Sequence, residues 1–312
     1  ELTLSHVTRS ELCALAALEM PRLTDLTLLY SSGLSQVTID AAGRNETGMR
    51  AMACAPWFGR LRSITIDCDE PPISDDFAGC GAPCLCFLDY RCSYFSDAAA
   101  AVLGQLALPS LRGLHLFVRS AMLPPFALTA RGMAALLAVE GVTSSLEELC
   151  LTQDSNSEAD ADAVVAAIAC APLAALRSLD LTDGLHTDAS IASLARACWA
   201  RQLSRLYLIS VDGRFYQNGA AWRALAAAPL ESLQELYLHF APCMSAGVAA
   251  HLMSAPWLGG LERLYLIGLS RGAFEVLQAS PAFASLQAIK KVTVSQVERE
   301  QAAVAHAVGA AD

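Results

Sequence analysis

Leucines recur along the chain in a hexamer whose first, fourth and sixth positions are apolar and whose other positions are mostly polar. The clearest copies are LRSLDL from Leu176, LSRLYL from Leu203, LQELYL from Leu233 and LERLYL from Leu261. Variant copies begin at Leu23 (LTDLTL), Leu61 (LRSITI), Leu85 (LCFLDY), Leu111 (LRGLHL), Leu146 (LEELCL) and Ile289 (IKKVTV), and Leu2 and Leu4 form the tail of another. The last three residues of each copy alternate apolar, polar, apolar, the period of a strand with one buried face. Between copies comes a polar stretch and then an Ala- and Leu-rich segment of about three helical turns, such as DASIASLARACWA or SAGVAAHLMSAP. The pattern predicts strand, loop, helix, loop, repeated. A short strand cannot bury its apolar side alone and must stack on its neighbours, so the chain is expected to be a solenoid.

Local chemistry marks the helix ends. Ser, Thr or Asp commonly precedes the Ala-rich segments, where a side-chain oxygen can accept from orphan backbone N–H groups. Pro56, Pro172, Pro229, Pro256 and Pro281 are expected to close helices, because Pro disfavours helical geometry in the residue before it. Small residues such as Ala98 to Ala101 and Ala224 to Ala228 allow neighbouring helices to sit close. Trp57, Trp199 and Trp257 each stand four residues before a hexamer, which predicts a recurrent buried packing role.

The hexamers start 24 to 38 residues apart. With that spacing the chain resembles the ribonuclease-inhibitor-like subclass of leucine-rich-repeat proteins over nearly all of its length. The resemblance implies an α/β leucine-rich-repeat solenoid, a horseshoe with a concave parallel β-sheet and convex α-helices. One departure stands out. That subclass usually carries Asn or Cys three residues after the last pattern leucine, bonded to the backbone of neighbouring turns. Here those positions hold Ser31, Asp69, Ser93, Arg119, Asp154, Gly184, Val211, Ala241 and Leu269. The strand register is expected to survive this change and the loops to differ. Residues 1–294 are read as one solenoid. Residues 295–312, with Val297, Val304 and Val308 on one helical face, are read as a C-terminal capping helix or tail.

A content of 54% hydrophobic and 17% charged residues in a chain of 312 supports a large core. The longest apolar run, Ala163 to Leu176, is interrupted by Pro172 and is shorter than the about 20 residues that cross a bilayer. No signal peptide is visible, although the chain opens inside a repeat without an initiator Met. The net charge of −10 argues against nucleic acid and anionic membranes as partners, since phosphate-driven binding needs a basic face. Eleven cysteines, several within the repeats, suggest a reduced intracellular protein of cytoplasm or nucleus rather than a disulfide framework.

Catalytic signatures are absent at the level of motifs. The only lysines are Lys290 and Lys291, so no phosphate-binding loop or kinase-type Lys precedes them, and neither H-E-x-x-H nor G-x-S-x-G occurs. Cys80, Cys84, Cys86 and Cys92 are dense enough to suggest a thiolate zinc site, but they lack paired C-x-x-C knuckles. Small thiols flanking Leu85 in a strand fit them better. The acidic stretch from Asp154 to Asp162 resembles a calcium loop superficially. It has Ala159 where the turn Gly belongs and Val165 where the bidentate Glu belongs, so a solvated loop that caps a helix is expected. No cofactor and no metal are predicted, and the chain is read as non-enzymatic.

One constellation points to function. The residue between the last two pattern leucines faces the open side of the sheet, and in three consecutive repeats it is Tyr207, Tyr237 and Tyr265. Asp180, Arg205, Glu235 and Arg263 share that face, with Arg177 and Glu262 at its edge. Rigid aromatic area beside charged anchors is the composition of interface hot spots. These nine residues are the candidate site for a protein partner. A purely structural ladder and a small-ligand site are the other readings. Loop insertions at Gly33 to Asn45 and Ser120 to Leu128 could add a second rim. The resemblance also admits a recognition arm of a larger ubiquitin-ligase adaptor or immune-type receptor, and regulation of a small GTPase, though no local motif supports the last.

Overall fold

The computed structural model describes residues 1–31, 38–39, 45–46, 48–68, 80–93, 95–104, 106–118, 128–139, 141–153, 158–182, 187–209, 219–289 and 291–296. The chain divides into two compact units, residues 1–156 with 170–176, and residues 157–169 with 177–312. Both are built of leucine-rich repeats, each a short strand followed by a helix.

In the first unit, β1 (Leu2–Ser5), β2 (Asp25–Ser31), β5 (Ser63–Cys68), β6 (Phe87–Cys92), β7 (Gly113–Val118) and β8 (Glu148–Gln153) pair in this order, all parallel. A separate antiparallel pair joins β3 (Thr38–Ile39) to β4 (Asn45–Glu46), within the first insertion. The rest of that insertion lies outside the described residues, as does the second one up to residue 127. Pattern residues stand in register: Leu26, Ile64, Leu88, Leu114 and Leu149 form one inward column, and Leu28, Ile66, Tyr90, Leu116 and Leu151 the next. None is more than 5% exposed. Tyr90 takes a leucine's place here, its hydroxyl accepting from the Cys68 thiol at 3.5 Å and its ring packed edge-on to Phe95. A polar atom is thereby buried with a partner.

In the second unit, β9 (Ser178–Thr182), β10 (Arg205–Ile209), β11 (Glu235–Met244), β12 (Arg263–Leu269) and β13 (Lys291–Gln296) are likewise parallel and sequential. Leu179, Leu206, Leu236 and Leu264 align, as do Leu181, Leu208, Leu238 and Leu266, and all are essentially inaccessible. Parallel strands need a crossover between them, and helices supply it. The helices of the first unit are α1 (Arg9–Ala16), α2 (Gly48–Ala53), α3 (Asp97–Leu103), α4 (Ala130–Leu137) and the single turn α5 (Val142–Ser145). Those that follow are α6 (Glu158–Cys170), α7 (Asp188–Ala195), α8 (Gly219–Ala226), α9 (Ala246–Met253), α10 (Arg271–Ala279) and α11 (Pro281–Ile289). Pro281 thus both ends α10 and opens α11, where its missing N–H is harmless.

Hydroxyl side chains begin the helices as expected. Thr8, Ser96, Thr129, Thr187, Ser245 and Ser270 each accept from a backbone N–H of the first turn, and Thr8 forms a full capping box with Glu11. A carboxylate from the preceding repeat then holds the cap itself. Asp97, in α3, accepts from the N–H and hydroxyl of Thr129 at 2.8 and 2.7 Å. Asp162, in α6, does the same for Thr187, and also accepts from the N–H and hydroxyl of Ser190. Gly132 occupies the place of Ser190 in the earlier repeat, and a Cβ there would lie 2.2 Å from Asp97 Oδ1. The acidic stretch is therefore not one loop. Residues 154–157 lie outside the described residues, whereas Asp160 and Asp162 are helical and Asp162 caps the helix of the following repeat.

Trp57, Trp199 and Trp257 are buried. Trp199 Nε1 donates to the Ile168 carbonyl and Trp257 Nε1 to that of Leu225, each at 3.2 Å, so the indole ties one repeat to the helix of the one before. Cys84 and Cys86 do not sit in a strand: β6 starts only at Phe87, and a backbone turn precedes it.

Truncating Leu179 or Leu236 to Ala is expected to cost about 2 to 5 kcal/mol by lost packing and a residual cavity. Losses below about 0.5 kcal/mol in denaturant melts of both variants would contradict the register. Asp162→Ala, which strips one cap of its shared acceptor, is expected to cost about 2 kcal/mol by the same assay.

Candidate partner-binding surface

On the face opposite the inward leucines of the second unit, alternation and register set three columns. The central column is Asp180, Tyr207, Tyr237, Tyr265 and Thr293. One side column is Ser178, Arg205, Glu235 and Arg263, and the other is Thr182, Ile209, His239 and Ile267. The three tyrosines are half-exposed. Their rings stack in sequence, Tyr207 on Tyr237 with centroids 6.1 Å apart at 28° and Tyr237 on Tyr265 at 5.4 Å and 30°. Neighbouring strands about 4.8 Å apart impose such spacing on like residues in register.

Electrostatics pins the ladder at one end. Glu235 is only 6% exposed, although it lies on the open face. Arg263 covers it, Nη2 to Oε2 at 2.5 Å, and the Tyr207 hydroxyl donates to the same carboxylate. Burial and then this hydrogen bond push the Tyr207 phenol up to about 12. Asp180, beside Tyr207 across the strand gap, accepts from the Thr182 hydroxyl at 2.6 Å. Arg205 is half-exposed and Arg263 exposed. Seven of the nine candidate residues thus share one surface. Arg177 and Glu262 do not join it by alternation: each immediately precedes a strand in the parity of the inward leucines, and the Arg177 guanidinium donates to the Gln202 carbonyl at 3.4 Å. Both are exposed rim residues.

The first unit carries a second patterned surface. Asp89, only 5% exposed, receives Arg91 in a forked contact, Nε at 3.1 Å from both oxygens and Nη2 at 2.7 Å from Oδ2. The Phe87 ring lies over Gly113, where a Cβ would come within 2.4 Å of it, and meets His115 edge-on at 4.6 Å. His115 Nε2 is 3.4 Å from Glu148, and Phe117 is an exposed apolar ring. The alternation that exposed the tyrosines also marks these positions. They do not repeat one residue type from rung to rung, so no column stands out in the sequence.

Among the described residues, no group of three His, Cys, Asp or Glu side chains could hold a metal ion, and no helix is long and apolar enough to cross a membrane. No protein-family model matches the chain, and no curated protein matches it. Among solved structures, it is similar to an internalin from Listeria monocytogenes at 13% identity, over 94% of this chain and 85% of that one, with a TM-score of 0.29. The assignment to leucine-rich repeats rests on the hexamers and on the ladder they form.

A phenol with a raised pKa favours the protonated, folded form. The stability contributed by Tyr207 is therefore present below about pH 10, its unfolded value, and is lost as pH rises through about 12. Phenolate absorbance during alkaline titration should show a late component that disappears in Tyr207→Phe. If the variant and wild-type curves differ only by an ordinary early tyrosine, the bond to Glu235 is absent in solution.

Proposed function

We propose that this chain is a non-enzymatic protein-interaction module whose second unit binds a protein partner on the sheet face opposite the inward leucines, at the tyrosine ladder. The observation that carries the reading is the stack of Tyr207, Tyr237 and Tyr265 on three adjacent strands. Stacked rings on a rigid sheet lose little conformational entropy on binding and offer a large contact area with a hydroxyl at each tip. Isoleucines 209 and 267 extend the apolar area on one side, and Arg205 and Arg263 supply charge-assisted donors on the other. The partner is a protein rather than nucleic acid or a membrane, in keeping with the net charge of −10. Cytoplasm or nucleus is the proposed setting, and the ribonuclease-inhibitor-like subclass the proposed relationship. A recognition arm within a larger adaptor or receptor would use this same surface.

The test compares the wild-type protein with a Tyr207→Ala, Tyr237→Ala, Tyr265→Ala variant as bait in native cell extract, at equal folded content. A hot-spot aromatic typically contributes about 2 kcal/mol or more, about thirtyfold in affinity, whereas surface changes shift stability by about 0.5 kcal/mol. Specific partners should be lost from the variant. Retention of the same partners at equal yield would make the ladder a structural feature only.

A further inference from the structure

Two cysteines that stand 26 positions apart in the sequence meet in the first unit. Cys54, just beyond α2, and Cys80, ahead of β6, have their sulfurs 3.6 Å apart. A disulfide needs about 2.05 Å, so the two sulfurs are at van der Waals contact and not bonded. Both are reachable, since Cys54 is exposed and Cys80 half-exposed. Cys68 is buried and donates to Tyr90, and Cys86 donates to the Cys84 carbonyl at 3.4 Å, while the Cys84 thiol is exposed. No disulfide joins the described cysteines.

We propose that Cys54 and Cys80 form an oxidation site, a dithiol that closes to an intramolecular disulfide by exchange with a small-molecule disulfide of the glutathione type. The exposed Cys54 thiolate attacks one sulfur of that disulfide, forming a mixed disulfide and releasing one thiolate. Cys80, deprotonated, then attacks the Cys54 sulfur and expels the second thiolate. Two protein thiols are oxidised, one external disulfide is reduced to two thiols, and the two protein protons pass to the leaving thiolates. The product clamps the end of α2 to the segment that leads into β6, across the repeat that contains β5.

The second step is slow at neutral pH by construction. Burial, and then the neighbouring Cys54 thiol, raise Cys80 to about 11, with Arg50 opposing. In the mixed disulfide the Cys54 thiol is gone and burial alone still holds Cys80 up, so closure should accelerate as pH rises. The reduced pair persists in a reducing compartment and closes under sustained oxidation, the behaviour of transient, sensing disulfides rather than structural ones.

The full chain, reduced and then equilibrated with oxidised and reduced glutathione at graded ratios, tests this by peptide mapping without reductant. A cross-link between the peptide containing Cys54 and Cys80, lighter by two hydrogens, should form in the monomer. It should be lost in Cys54→Ser and in Cys80→Ser, where the surviving cysteine should instead hold glutathione. The wild-type map alone decides if either variant fails to fold. A cross-link from Cys54 to Cys84 or Cys86, a link only between chains, or persistence of both thiols when accessible cysteines are fully glutathionylated would overturn the proposal.

Discussion

A strand of five or six residues with two leucines on one side cannot hide them, and everything else in the molecule answers that constraint. Each inward leucine is covered along the ladder by its equals in the neighbouring rungs, and register-locked pairing keeps like beside like. The apolar columns are continuous because the pairing never slips where the pattern residues lie. Among the described pairings the register shifts lie beyond the pattern leucines, after Leu28, His239 and Ile267. A slip of one residue would turn every leucine of a strand outward and every tyrosine inward. The buried columns and the exposed ladder are therefore two readings of one register.

The helical side solves a second problem, that of joining one repeat to the next. Asp97 and Asp162 reach from one helix to the cap of the next, satisfying orphan N–H groups with a charged acceptor where the helix dipole favours it. Two tryptophans add a bond of the opposite direction, indole to the carbonyl of the preceding helix. Trp57 Nε1 is buried with no hydrogen-bond partner among the described residues, so the device is not uniform even within equivalent positions.

The hexamer made strands, inward columns and the tyrosine column legible, because strand alternation needs no knowledge of distant contacts. The hydroxyl caps and the buried tryptophans were legible for the same local reason. What could not be read were contacts between repeats whose partners are not at matched pattern positions. The acidic stretch reads as a loop that caps a helix, and Asp162 does cap one, but from inside α6 and on the helix of the following repeat; Cys84 and Cys86 read as strand residues, yet the strand begins later. Arg177 and Glu262 were placed at the edge of the patch, whereas strand parity sets them apart from it. Cysteine density marks Cys80 together with Cys84, Cys86 and Cys92, but nothing in the sequence pairs it with Cys54, 26 positions away. The bond from Tyr207 to Glu235 crosses columns diagonally, which alternation alone does not rank.

The tyrosine column has one further property. Its members are addressed by rung, since each ring belongs to a separate repeat with its own strand and helix. Duplication of the repeat that holds Tyr237 would insert one more ring into the stack without disturbing those on either side, and deletion would shorten it by one. A surface of this kind can be lengthened or trimmed one repeat at a time. Its footprint is thus a heritable count, set apart from the chemistry of any one residue.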